Sequence, residues 1–283
     1  MIYYGNIYDV DLKNKLIVVK INKKLKYFYL QNNLFKKFNN YLYPNRFLSF
    51  DYDLNNFKIV DNKKSYLINH FIYIVKYDHF NRKTIFYDIL VIRNSIKDLI
   101  NNSKYNLFLD LEMTMQDYTC PNNFVPEIIQ AGIVLTDNYD KIIKKVNYHI
   151  KPTKFKITKR TKKFLSLDNI DEIKWVSYDI FYETFNDIIN KYQPNIYFWG
   201  RNDLLVLKSS FEINKKEHLE SNTKFINLLQ LIKNYYNLKN DLGLVKAYNL
   251  FTNDNFDNQI HDALEDASLT YKIFEGFKYS INK

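Results

Sequence analysis

The chain has 283 residues, room for one large domain or two ordinary ones, each with a sizeable apolar core. Its single cysteine, Cys120, excludes an intramolecular disulfide and a cysteine zinc cluster, and no segment approaches the ~20 unbroken apolar residues of a membrane span. The opening MIYYGNIYDVDLKNK has no leader-like apolar run, so a soluble cytoplasmic protein without a membrane or disulfide partner is expected.

The formal charge of +10 is concentrated at one end: residues 1 to 100 carry 17 Lys/Arg against eight Asp and no Glu. Codon bias would spread lysines evenly. A localised basic excess fits a polyanionic partner, because neutralised phosphates release condensed counterions.

β-like runs dominate the start: 2–10, 15–21 and 25–30 are rich in β-branched and aromatic residues and are separated by Asn/Lys turns. Residues 32 to 43 then space Leu34, Phe38, Tyr41 and Leu42 as a helix, and 46–53 and 66–77 return to strand character. Three strands, a helix and further strands are the order of a small OB barrel over residues 1–78, which would bind single-stranded RNA or DNA through a basic groove and stacking aromatics. Its second and third strands offer Lys24, Lys26, Tyr27, Phe28 and Tyr29 as substrate-binding residues. The opposing reading is that alternation sends half of these aromatics into the core and leaves the lysines as solubilising charge. Residues 79–104 read as a connector with a helix near Ser95 to Asn101.

YNLFLDLEMT follows, opening a second domain over 105–283. On a strand Asp110 and Glu112 project to one face while Leu109, Leu111 and Met113 project to the other. Paired carboxylates repel unless protonated or bridged by a cation, and hard oxygen ligands suit Mg²⁺ or Mn²⁺. Alone, Asp-x-Glu also describes any solvent-exposed strand end. VPEIIQAGIVLTD (125–137) and KIIKKVNYHI (141–150) complete a predicted antiparallel meander. The lysine-rich 151–164 reads either as a guide for a phosphate backbone or as a solvated charge run. A helix over 177–192 leads to the short buried strand IYFWG (196–200), which sets Asp203 at a strand-to-helix junction.

Near the C-terminus, HDALEDASLTYKIF places His261 beside three acids. Five residues at ~100° each would turn His261 and Asp266 ~140° apart on one helix, so His261 belongs at or before the helix start, after the turn-rich NDNFDNQI. Asp262 shares a helix face with Asp266, and Glu265 lies one turn from His261. Geometry alone leaves these acids as competitors.

LFLDLEMTM, FVPEIIQAGIV, FWGRNDLLVLKSSF and HDALEDASLTYKIF together resemble, in order and spacing, the DnaQ-like 3′→5′ exonucleases of the DEDDh type, nearest the KapD-like and histone-mRNA-exonuclease-like branch. The resemblance implies an α/β, ribonuclease H-like mixed sheet flanked by helices, preceded here by the small mostly-β domain. It implies two divalent cations, Mg²⁺ or Mn²⁺, held by Asp110, Glu112, Asp203 and Asp266. His261 is then the general base and Glu112 is also catalytic. It further implies that Met113 and Thr114, in the D-x-E-x-T pattern, meet substrate, although a Met after a strand also serves as packing. The implied activity is removal of nucleoside 5′-monophosphates from a single-stranded 3′ end, RNA before DNA. A DNA repair or proofreading exonuclease, and a nucleic-acid-binding protein on a nuclease scaffold, are the alternatives.

Overall fold

Tight turns set the first sheet. In the computed structural model, which describes residues 1–118, 120–167, 173–219, 222–257 and 261–283, the chain divides into two compact units, Met1–Ser95 and Ile96–Lys283. The first opens with β1 (Ile2–Asp11), β2 (Leu16–Ile21) and β3 (Lys24–Tyr29), antiparallel in sequence order, with Asn22 and Lys23 both left-handed at the β2–β3 turn. Helix α1 (Asn32–Phe38) and a 3-10 turn (Asn39–Tyr41) follow, seating Phe38 and Leu42 in the core.

β4 (Phe47–Val60) pairs with β1 and with β5 (Lys63–Tyr77), the latter through left-handed Asp61 and Asn62. β5 also runs parallel to β3. The pairings therefore close a circuit of five strands, β1-β2-β3-β5-β4, with α1 between the third and fourth. Phe28, Phe50 and Phe71 fill its interior with Ile7, Ile17 and Val19.

The segment expected as a connector is different. Lys83–Asp88 forms a sixth strand, β6, against β5, and helix α2 (Ile89–Asn101) begins directly after it. The cause is local hydrogen bonding. The Asp78 carboxylate accepts the amides of Phe80 and Arg82 and the Arg82 Nε–H, reversing the chain onto β5, and Asp88 accepts the Leu90 amide to start α2.

The second unit holds the antiparallel meander β7 (Tyr105–Met113), β8 (Ile128–Asp137) and β9 (Ile142–Ile150). After α3 (Lys159–Phe164) and β10 (Trp175–Val176) come α4 (Tyr178–Tyr192), β11 (Asn195–Phe198), α5 (Asn202–Ile213) and β12 (Phe225–Asn227). Helices α6 (Leu228–Tyr236), α7 (Leu244–Thr252) and α8 (Ala263–Asn282) complete the chain. The strand order β10-β9-β8-β7-β11-β12 makes a mixed sheet, parallel on either side of the meander.

Alternation along β7 sorts its side chains. Leu107, Leu109 and Leu111 enter one core with Phe181, Phe185 and Ile188 of α4. Phe108 lies on the other face, against Tyr197 and against Tyr271 and Phe274 of α8. Asp110 and Glu112 share the Phe108 face, and so lie on the α8 side of the sheet. Among the described residues no helix is long and apolar enough to cross a membrane.

Candidate active site

β7 is central in its sheet: β11 pairs with its first half, Asn106 to Phe108, whereas β8 runs beside it as far as the carboxylate-bearing end. Asp110 stands across from Gly132 and Glu112 across from Gln130. These two β8 residues let α8 approach. A Cβ on residue 132 would lie 2.0 Å from the Ala263 carbonyl oxygen, so only glycine admits the first turn of α8 this close. Gln130 Nε2 donates to Asp262 Oδ2 at 2.6 Å. Asp262 is also the N-cap of α8, its Oδ1 accepting the Glu265 amide at 3.0 Å. Asp262 is therefore held by the fold, whereas Asp266, in the first turn, is 4% exposed and points at the strand carboxylates.

Asp203 arrives from another direction. It lies in the first turn of α5, directly after the β11 strand and left-handed Gly200, and its Oδ1 accepts the Leu111 amide at 3.2 Å. That bond ties the α5 carboxylate to β7 between Asp110 and Glu112. His261 precedes the Asp262 cap. Its Nδ1 is 3.8 Å from Glu112 Oε1, and its ring stacks on Phe164 at 4.1 Å between centroids and 24° between planes. Residues 258–260 of the turn-rich run before it lie outside the described residues.

The electrostatics follow from this convergence. Burial, then the charges of Asp203, Asp266 and Glu112, hold the Asp110 carboxyl well above the usual range. Burial and then Asp266 and Asp203 push Glu112 up to about 7. Burial raises Asp203 to about 6 against the lowering effect of the Leu111 amide. Such a cluster cannot carry its full negative charge unaided, and a cation of hard-oxygen preference is the chemical complement. Ligand atoms of Glu112, His261 and Asp266 all lie within 4.8 Å of one another, close enough to hold one ion.

Two contributors, Glu127 and Phe164, lie outside the expected site residues. Glu127, buried, receives the amides of Thr153, Lys154 and Phe155 at 2.8 to 3.2 Å, with the Thr153 hydroxyl also on it at 3.2 Å. It anchors the start of the lysine-rich segment. Thr158 caps α3, its hydroxyl donating to the Met115 carbonyl at 2.9 Å, and the Met115 amide donates to Thr161 Oγ1 at 2.8 Å. The segment is thus pinned at both ends, and its last residue, Phe164, meets His261. An acid inside the apolar run Val-Pro-Glu-Ile-Ile was the available sign of Glu127. Nothing local marked Phe164.

The remaining expected contacts separate. Met113 is half-buried at the end of β7. Thr114, expected to touch substrate, is instead 1% exposed, and its hydroxyl accepts the Glu127 amide at 2.9 Å. In the first unit Phe28 is a core residue, edge-on to Phe50 and Tyr52 at 4.9 Å, because alternation points it inward. No base can stack on it. Tyr27 and Tyr29 are half-buried on the opposite face of β3, Lys24 is exposed and Lys26 half-buried.

Comparison with known proteins agrees with this geometry. The RNase_T exonuclease family matches residues 107–274. The probable 3′-5′ exonuclease KapD of Bacillus subtilis (strain 168) is 33% identical over 174 residues, 60% of this chain and 82% of that protein. Among solved structures, the nuclease domain of 3′hExo, a DEDDh family member bound to rAMP, aligns with a TM-score of 0.51 at 18% identity, covering 61% of this chain and 90% of that one. Cell-death related nuclease 4 aligns with a TM-score of 0.50 at 21% identity, over 63% of this chain and 64% of its own. These two likenesses are of fold.

Proposed function

The chain belongs to the RNase_T exonuclease family and is a hydrolytic 3′→5′ exonuclease acting on nucleic acid, and from that premise we propose that it removes nucleoside 5′-monophosphates one at a time from single-stranded ends, RNA before DNA. The convergence of Asp110, Glu112, Asp203 and Asp266 beside His261 carries this reading. The donor set fits divalent metal: four carboxylates from β7, α5 and α8, of which burial raises Asp110, Glu112 and Asp203 and the neighbouring acids raise Asp110 and Glu112 further. Asp110, Glu112, Asp203 and Asp266 would hold two Mg²⁺ or Mn²⁺ ions, which would supply Lewis-acid stabilisation to an in-line displacement.

The chain's own residues do the rest. His261, half-exposed at the mouth of the acidic cluster, takes the proton of the attacking water. Glu112, next to its Nδ1, orients the imidazole. Attack on phosphorus breaks the bond to the 3′-oxygen, leaving a 3′-hydroxyl on the shortened strand and a 5′-phosphate on the released nucleotide. The preference for RNA draws on the rAMP held by the 3′hExo domain.

Residues 105–283 form the nuclease domain in this reading. Residues 1–78, extended by β6, are an OB barrel that holds the upstream strand. The closed five-strand circuit, the parallel β3–β5 pair and the helix between the third and fourth strands support the barrel. The basic excess of the first hundred residues supports its ligand.

The test is direct. Wild type and His261→Ala are incubated with 5′-labelled RNA and DNA of one sequence, in Mg²⁺, Mn²⁺ or EDTA. A ladder shortening from the 3′ end, dependent on metal and lost in the variant, is expected. Metal-independent binding without shortening would instead make this a binding protein on a nuclease scaffold.

A further inference from the structure

We propose that Tyr27 and Tyr29 on the outer face of β3, with Lys58 and Lys63 of the β4–β5 hairpin lying over them, form a stacking platform for single-stranded nucleic acid, the lysines occupying the ring faces until bases displace them. The inference rests on the reading of the first unit as the part that holds a strand.

Register places the four side chains together. Phe28 points into the core, so its neighbours Tyr27 and Tyr29 point outward. The parallel β3–β5 pairing sets Tyr27 beside Ser65 and Tyr29 beside Leu67. The antiparallel β4–β5 pairing sets Lys58 across from Ser65 and Val60 across from Lys63. Lys58 and Lys63 therefore share the face of the two tyrosines. The contacts agree: Lys58 Nζ is 4.5 Å from the Tyr29 ring centre, and Lys63 Nζ is 4.9 Å from that of Tyr27.

The hairpin is held in place. Asn14, in the β1–β2 turn, donates through Nδ2 to Asp61 Oδ2 at the hairpin tip at 3.0 Å and to Asp11 Oδ2 at 2.8 Å. Tyr29 Oη donates to Asn56 Oδ1 at 2.9 Å. Asp11 and Asp61, two carboxylates at this end of the sheet, are thus both engaged by Asn14. Leu16 and Val18, the cross-strand neighbours of Tyr29 and Tyr27, are buried, which gives the rings a fixed apolar bed.

The ligand class follows from what the four groups offer together. Two residues along a strand separate the rings by ~6.8 Å, twice the ~3.4 Å rise of stacked bases, so an unstacked strand can give each ring one base. Lys58 and Lys63 are exposed, and an ammonium that keeps its water is weakly held on a ring. When a base takes the ring face, the lysine can swing to the adjoining phosphate, and each ring and each charge keeps a partner. A neutral or acidic peptide offers no regular row of phosphates for the displaced cations to meet. Lys64 caps Phe57 on the other face of the hairpin, at 4.0 Å, and so serves as an internal control.

The experiment uses the full chain in EDTA, where no turnover occurs. Oligomers of about 20 nucleotides carrying 5-iodouracil, one of RNA and one of DNA, are photo-crosslinked and the adducts mapped by mass spectrometry, and affinities are read by anisotropy across salt. Crosslinks at Tyr27 or Tyr29 are expected. A Lys58→Gln/Lys63→Gln double variant should bind about 10-fold more weakly, with a salt slope shallower by about 1.4, two phosphates' worth on a single strand. Lys64→Gln should leave the Tyr27 and Tyr29 adducts in place. The RNA and DNA arms report whether the platform reads the sugar.

Adducts confined to residues 96–283, or a double variant with wild-type affinity and slope, would overturn the platform. The two levels of failure are separable. If wild type binds the oligomer more tightly than a dinucleotide while the variants behave as wild type, only the platform falls. If wild type binds both equally, the strand-holding reading of the first unit falls with it.

Discussion

At the scale of single residues, two aspartates four positions apart have different duties. Asp262 caps α8 and accepts from Gln130, whereas Asp266 is buried against the acids of β7. Asp262→Ala should lower stability by about 1 kcal/mol, the usual cost of a lost cap, and retain metal-dependent cleavage. Asp266→Ala should abolish cleavage, and parallel melting and exonuclease assays of the two variants check both outcomes. The acids also set a pH dependence. Glu112 titrates at about 7 and Asp203 at about 6 in the folded, metal-free protein, against 4.5 and 3.8 for the free groups. Between those values the folded state keeps protons that the unfolded chain has released, so stability falls as pH rises, and Asp110, also raised by burial and its neighbours, adds to the fall. The melting temperature in EDTA should therefore drop from about pH 5 to about pH 7.5, and added Mg²⁺ should raise it most at the upper end. A flat profile in EDTA would mean that the carboxylates do not crowd one another. The spacing of Asp110 and Glu112 on one strand face was legible in the sequence, because alternation is strict. Physics alone did not choose Asp266 over Asp262, since the second bond that holds Asp262 comes from Gln130, far away in the chain.

At the scale of elements, the site depends on how closely β8 and the lysine-rich segment are drawn against it. Gly132 lies where a side chain would meet the backbone of Ala263. Gly132→Ala should push the start of α8 outward, carrying His261 and Asp266 with it, and cost 10-fold or more in kcat through misplacement on the order of 1 Å. A variant with wild-type kcat would show that α8 is not positioned by this contact. Glu127 acts on the other side. Its carboxylate collects three consecutive backbone amides, and charged acceptors of this kind are worth on the order of 2 kcal/mol each when lost from a buried site. Glu127→Gln keeps the volume but removes the charge, and one of its two oxygens becomes a donor facing donors. Loosening of 153–164 should follow, read as faster amide exchange there, together with a fall in kcat as Phe164 leaves the His261 ring. Unchanged exchange over that segment would overturn the anchoring role. A run of lysines looks solvated in sequence, and its bonds to distant residues, Glu127 at the start and Met115 through the threonines at 158 and 161, make it a fitted strap.

At the scale of the whole molecule, charge and topology divide the chain in the same place. The first unit holds nearly all of the excess positive charge, while the second gathers buried acids around one site. The strand–helix–strand order of residues 1–77 was readable from periodicity, because its turns carry Asn, Asp and Lys in left-handed positions. The β6 strand was not. Its pairing with β5 comes from the Asp78 turn, and a six-residue edge strand without a buried side chain has little periodicity to display. A basic unit tethered to a nuclease unit raises the local concentration of any strand long enough to meet both. Turnover per enzyme, expressed as kcat/KM, should therefore rise from a dinucleotide to an oligomer of about 20 nucleotides by 10-fold or more at low salt. Because the gain comes from phosphate contacts, it should shrink towards unity at about 0.3 M salt, while dinucleotide turnover changes much less. Equal kcat/KM for the two lengths at low salt would separate the basic unit from substrate handling altogether. A length preference that survives high salt would assign the gain to base stacking rather than to charge.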